Sequence, residues 1–401
     1  MTALDIFPPT RTAALERLST FLPRAGRDYA ARRNYDGGPG HHTGVSTLSP
    51  YLRCRVITED DVLQAVLARH SAQTAEKFIQ EVFWRTYWKG WLELRPSVWD
   101  TYKADLQRHW NDVQTQSGLR ARWDAACMGT TGIACFDAWV HELTTTGYLH
   151  NHARMWFASI WIFTLDLPWE LGADFFLRHL LDGDPASNTL GWRWVAGVQT
   201  VGKTYAARAD NIAKYTEGRF DPRGQLAPHA TPRPGPPAPA PTPLRGLPQP
   251  QTGVPTGVLL HEEDLSPRFA LPDDPVTTTA VLTPSNGFSP LTPAPHVAAF
   301  RTKILRDTVA RWSARLGDKA GTVTTPDHII EWANATGIAQ IVTPYAPVGP
   351  VADVLSQLAH HSDAPPVVQI RRPYDSAAWP HATKGFFAFK KHIPDLVSRI
   401  G

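Results

Sequence analysis

Cysteine is scarce in this sequence of 401 residues: there are three, Cys54, Cys127 and Cys135, with no CxxC pair among them. That scatter excludes a disulfide framework and leaves no thiolate set for a zinc or iron–sulfur centre, so reduced thiols and no metal are expected. An excess of charge of one sign is also missing. Forty Lys and Arg against 37 Asp and Glu leave a formal net charge of +3, which permits contact with nucleic acid without requiring it. Long apolar runs are absent: the most apolar window, Met155 to Leu165, is broken by Asp166 and Pro168 and falls short of the roughly 20 residues that span a bilayer. The stretch MTALDIFPPTRTAALERL has no basic end followed by an apolar run, so no secretory signal and no membrane are expected, and the reading is a soluble, cytoplasmic protein.

What is present divides into three. From Arg11 to Phe220 apolar residues recur three and four apart, as in DVLQAVLARH, AEKFIQEVFWRTYWKGWLEL and FDAWVHELTTTGYL, so residues 1–224 are expected to be all-helical. Residues 225–256 are rich in proline, which removes backbone donors and favours extended conformations, the composition of a semi-rigid linker. In residues 257–401 the runs GVLLHEEDL, TTTAVLTPS, AQIVTPYAP and PPVVQIRRPYD read as strands. HVAAFRTKILRDTVARWSARLG, PDHIIEWANATG and VADVLSQLAHH read as helices. That alternation predicts a smaller, Rossmann-like α/β domain with a parallel sheet. This region has no GxGxxG, Walker A or GxSxG, so it offers no phosphate cradle or hydrolase elbow of those kinds.

The chemistry-bearing residues lie in the helical part. Ser46, Thr47, Leu48 and Ser49 crowd ahead of Pro50, where small hydroxyls and free amides can bind a diphosphate or, equally, cap a helix start. Glu81, Trp84 and Arg85 are three and four apart and share a helix face, an arrangement that also suits a core Trp beside a surface ion pair. In GYLHNHARM, Asn151 and Met155 lie four apart, as do His150 and Arg154. DGDPASNTLGWRW places Asp182 and Asp184 in a tight loop, with Asn188 four residues before Trp192. A capped helix start explains the acids but not the WRW spacing.

The order GTTG, HNHARM, Trp169, DGDPASN and WRW resembles the flavin-binding core of the DNA photolyase and cryptochrome family. The resemblance implies an FAD cofactor held by Tyr29, Ser46, Thr47, Leu48, Ser49, Arg85, Asn151, Arg154, Asp182, Asp184 and Asn188, the last facing flavin N5. It further implies that Glu81, Trp84, Asn151, His152, Met155 and Trp194 meet a damaged base, and that Trp192, Trp169 and an outer Trp110, or Trp123 in its place, carry electrons to the flavin. His152 stands where repair enzymes for cyclobutane dimers have Arg, and VAGVQTVGKTY departs from the usual continuation. On this resemblance the expected activity is blue-light-driven repair of pyrimidine dimers in damaged DNA, a deoxyribodipyrimidine photo-lyase-like reaction. The alternative is a cryptochrome-type photoreceptor that signals to a partner without repair. The helical domain precedes the α/β one, the reverse of the family's usual order. EEDL and the aromatic tail resemble a diverged antenna domain, which allows an antenna chromophore without naming one.

Overall fold

The computed structural model describes residues 2–284 and 289–400. Its first half is helical, as the periodicity predicts: α1 (Ala3–Ile6), α2 (Arg11–Phe21), α3 (Arg27–Arg32), α4 (Ser49–Arg53), α5 (Glu59–Leu67), α6 (Glu76–Glu93) and α7 (Ser97–Thr115). There follow α8 (Ser117–Met128), α9 (Ala134–Thr146), α10 (Asn151–Ser159), α11 (Trp169–His179), α12 (Pro185–Val195) and α13 (Ala209–Tyr215). Local chemistry sets the ends. Thr58 and Asp61 form a reciprocal capping box on α5. Gly147, at φ 67°, adopts the left-handed turn that stops α9 and starts the HNHARM helix within a few residues.

The second half holds β1 (Thr256–His261), β2 (Thr278–Leu282), α14 (Pro295–Arg311), β3 (Asp318–Val323), α15 (Pro326–Thr336), β4 (Gln340–Pro344), α16 (Pro350–Ala359) and β5 (Val367–Ile370). The five strands are all parallel in the order β3-β2-β1-β4-β5, a doubly wound arrangement whose order reverses between β1 and β4. Two strand expectations need amending. The edge strand β3 was not foreseen, because DKAGTV contains little of the β-branched and aromatic character that marks a strand. GVLLHEEDL stops pairing at His261, since three consecutive acids need cations rather than sheet neighbours. Ser285, at the end of the expected strand TTTAVLTPS, lies outside the described residues.

The two halves share one core. Val297, Phe300, Ile304 and Leu305 of α14 pack into the helical cluster, as do Ala378, Phe386 and Phe389 near the C-terminus. That final stretch forms α17 (Pro373–Ala378), α18 (Phe386–Phe389) and α19 (Ile393–Ser398). It lies along α6: Trp379 closes on Gly90, where an added Cβ would meet the ring at 2.8 Å, and the Tyr87 hydroxyl donates to the Lys384 carbonyl at 3.0 Å. The proline-rich stretch is extended and tied down, with Arg95 Nε donating to Pro239 O at 2.9 Å and Thr242 N to Leu94 O at 2.8 Å.

Candidate functional site

The loop Leu181–Asp184 is a buried polar element held by several hydrogen bonds. Asp184 caps α12, accepting from Ser187 N at 2.8 Å, and Pro185 occupies the first turn, where its missing N–H costs nothing. Arg53, at the end of α4, donates to Gly183 O at 2.7 Å. Asp182 receives both terminal nitrogens of Arg154, at 3.0 and 2.8 Å. Burial would raise the Asp182 carboxyl, but Arg154 overrides it, helped by Ser49, and the group sits below its ordinary range. Lys89 Nζ lies 2.7 Å from Asp184 and 3.4 Å from Glu263. Against the penalty of burial, Lys89, Arg85 and Arg53 hold Asp184 far below the usual carboxylate range.

Around this loop several polar residues remain partly exposed. Arg154 leaves 24% of its side chain accessible although it pairs with a buried acid. Asn151, at the first turn of α10, is exposed, and Met155, Ser49, Arg85, Ser187 and Asn188 are part-exposed. Arg85 Nη1 and Ser187 Oγ are buried atoms without a hydrogen-bond partner, a state that burial makes costly unless something else supplies the partner. Asn188 Nδ2 donates to Ala173 O at 2.8 Å. Only the amide's NH2 can face a carbonyl, so the side-chain oxygen is left to accept.

Ser46–Ser49 turns sharply, with Thr47 at φ 50°, a left-handed conformation that costs energy for a β-branched residue. Arg17 Nη1 donates to Thr47 Oγ1 at 2.6 Å. Ser46 and Thr47 line a cleft of about 480 Å³ with Arg17, Arg24, Tyr148 and Glu142. Tyr29 is packed on Phe21 and Phe78, ring centres 5.9 and 5.2 Å away.

Residues 78–232 match the family described as the FAD binding domain of DNA photolyase. Two relatives named deoxyribodipyrimidine photo-lyase support the match. The one from Alkalihalophilus pseudofirmus is 31% identical over 53% of this chain and 42% of its own length. The one from Synechococcus sp. is 34% identical over 47% and 39%. The helical half thus contains a segment similar to the FAD binding domain of DNA photolyase. The chain spans less than half the length of these relatives. A bacterial class III photolyase from Agrobacterium tumefaciens aligns over 53% of this chain and 43% of that one, at 29% identity and a TM-score of 0.44; the assignment rests on the sequence matches.

Asp182, Asp184 and Arg154 lie about one loop, with Asn188 one turn along α12, while other expected residues lie apart or are already engaged. Glu81 forms an ion pair with Arg33. Trp84 is stacked face to face on Phe386, with centroids 3.6 Å apart and planes at 12°. Trp192 sits edge-on to Phe176 at 5.0 Å and to Trp161 at 6.1 Å. Trp169 lies 5.8 Å from Tyr102, and Trp110 and Trp123 are T-shaped neighbours at 5.4 Å. Trp194, 36% exposed, lies against Tyr205 at 5.4 Å.

His152 is spent on the fold: its ring stacks on Trp156 at 4.1 Å, Nδ1 faces Asn34 O at 3.1 Å, and Nε2 faces the Tyr205 hydroxyl at 3.4 Å. Burial lowers its pKa, and burial together with His42 takes His150 down to about 3, so both rings are neutral at pH 7.

Several residues escaped the sequence reasoning. Lys89, Arg53, Glu263 and Phe386 act on the site from far along the chain. Asp36, His42 and Glu142 converge in a buried cluster whose donor atoms lie within 4.8 Å of one another. His42 Nε2 is 2.6 Å from Glu142, and Asp36 also pairs with Arg219 at 3.1 Å. GVQTVGKT, Gly197–Thr204, fits the pattern GxxxxGK[ST]. It follows helix α12, with no strand before it and no helix opening at Lys203, so it lacks the strand–loop–helix context of a phosphate loop.

Among the described residues no helix is long and apolar enough to cross a membrane.

Proposed function

We propose that this protein binds FAD and uses it for blue-light-driven repair of pyrimidine dimers in DNA, a deoxyribodipyrimidine photo-lyase-like reaction. The observation that carries the reading is the clustering of Arg154–Asp182, Asp184 and Arg85, whose Nη1 has no hydrogen-bond partner, about the start of α12, with Asn188 one turn on and its side-chain oxygen left to accept. These residues fit a flavin's needs: paired charges beside a planar ring, an acceptor for a ring N–H, and a guanidinium and hydroxyls for phosphates and sugar. Bound FAD in its reduced form would supply, on light absorption, the electron that splits the dimer and is then returned.

The protein's own part is positioning. Asp182 fixes Arg154 by a two-point pair, which holds the guanidinium plane in one orientation. Asp184 fixes the start of α12, and hence Asn188 one turn on. Asn188 can accept a hydrogen bond but its oxygen carries no proton to give, which suits electron rather than proton transfer. Trp192, Trp169 and Trp110 would relay electrons from the surface.

The Trp84–Phe386 stack favours a second reading, a cryptochrome-type photoreceptor without repair, because the ring face expected to meet a lesion is already covered. Purified protein should show oxidised-flavin absorbance and photoreduce under blue light; lack of flavin overturns both readings. Illumination with an oligonucleotide carrying one defined cyclobutane dimer separates them, since photoreduction without repair leaves only the photoreceptor.

A further inference from the structure

The segment that covers Trp84 also presents an aromatic ring of its own. Phe386 is buried on Trp84, whereas its neighbour Phe387 is 81% exposed. An isolated surface apolar residue needs no explanation, but this one stands on a rigid base. Arg95 donates to Ala382 O and Thr383 O at 3.3 and 2.7 Å, Tyr87 holds Lys384 O, and Thr86 Oγ1 meets the Tyr374 hydroxyl at 2.9 Å. Its surroundings are basic. Lys384 and Lys391 are exposed on either side of Phe387 in sequence, Lys390 pairs with Glu76 at 2.9 Å, and His381 and His392 stack at 3.9 Å. Asp395 is the one acid within the segment 379–400.

We propose that Lys384–Lys391 is a contact for single-stranded or locally unpaired DNA, in which Phe387 stacks on an unpaired base and Lys384 and Lys391 meet the flanking phosphates. An exposed aromatic ring with exposed lysines three residues before it and four after it in sequence is a combination that suits unpaired strands, because every base has a face to stack and every linkage a charge. The lysines select a polyanion over an apolar peptide. This inference rests on the reading of a DNA partner but needs no flavin.

Fluorescence anisotropy of a labelled oligothymidylate with the full-length protein tests it. Phe387→Ala should weaken binding about tenfold, the size of one base–aromatic stack, without changing the salt dependence, while Phe387→Trp should bind at least as tightly as the parent. Replacing both Lys384 and Lys391 by Ala should reduce the slope of log K against log salt by about 1.4, two single-strand phosphates. Phe387 is exposed, so an unchanged melting temperature should accompany the affinity loss. Phe387→Ala binding as tightly as the parent would overturn the proposal, as would tighter binding of the matching duplex. A protein without flavin that still shows the Phe387 dependence would sink the photochemical reading and keep this one; a photoreducing protein indifferent to Phe387 would do the reverse.

Discussion

Replacing Lys89 by Met tests the electrostatic frame of the site. Lys89 touches two carboxylates, Asp184 at 2.7 Å and Glu263 at 3.4 Å, and the side chains of all three are at most 3% accessible. Removing one partner of a buried ion pair leaves a charge stranded, at a cost of about 3 to 5 kcal/mol. Arg53 remains 2.8 Å from Glu263, which places the expected loss at the low end, about 3 kcal/mol. If the 401 residues unfold together, the unfolding entropy is about 0.8 kcal/mol per kelvin and the melting temperature falls by about 4 °C. The effect also has a sign in pH. Asp184 and Glu263 both titrate below their ordinary values in the folded protein, so their pairs contribute stability above the usual carboxylate pKa and lose it as pH falls through the depressed one. Without Lys89 the depression shrinks and the acid transition moves up in pH. Urea titrations of the parent, Lys89→Met, Asp184→Asn and the double variant supply a thermodynamic cycle. The double variant should recover part of the loss, since the Asp184 charge leaves together with its partner, Glu263 keeps Arg53, and Asn still caps α12. A Lys89→Met protein within about 1 kcal/mol of the parent, or a double variant no better than the single, would refute the argument.

Other outcomes follow from the same geometry. Asp182→Asn should lower the flavin content of purified protein, read from the ratio of flavin to protein absorbance, because Arg154 loses the partner that orients it. Trp192→Phe should suppress photoreduction while leaving flavin content intact; unchanged kinetics would remove Trp192 from the electron route. Burial lifts Glu170 to about 7, so the folded state holds this proton more tightly than the unfolded chain does, and the group's contribution falls as pH rises from the ordinary carboxylate value to about 7. Glu170→Gln should flatten that part of the stability curve and raise the melting temperature above pH 7.

Sequence order revealed the acid loop because its chemistry is local: Asp184 caps the helix that it precedes, and Asn188 and Trp192 follow at one-turn steps on α12. The helices of the first half were legible for the same reason, their apolar residues recurring at the period of a turn. Trp84 was placed correctly on a helix, yet nothing near it could announce Phe386, about 300 residues later. Lys89 likewise looks like one more lysine of an aromatic helix until Glu263 arrives opposite it. The acids of HEED were read as a strand because apolar residues precede them; their cations lie more than 170 positions away, at Arg53, Arg55 and Lys89. Periodicity reports which face of an element is buried and is silent on what covers it.

The crossing of those charges has a consequence for how the chain can be divided. Glu262, Glu263 and Asp264 leave the sheet and find their counter-charges on α4, the turn after it and α6, while Arg372 reaches back to Glu59 and Asp60. Each half therefore carries, ready-made in its interior face, ions whose partners belong to the other. Cut at the proline-rich stretch, both pieces would have to hydrate or protonate groups that the intact chain keeps dry. The proline-rich segment is thus a seam in sequence only: scission there should yield fragments that fold when co-expressed and fail apart, and the whole chain should melt in one transition.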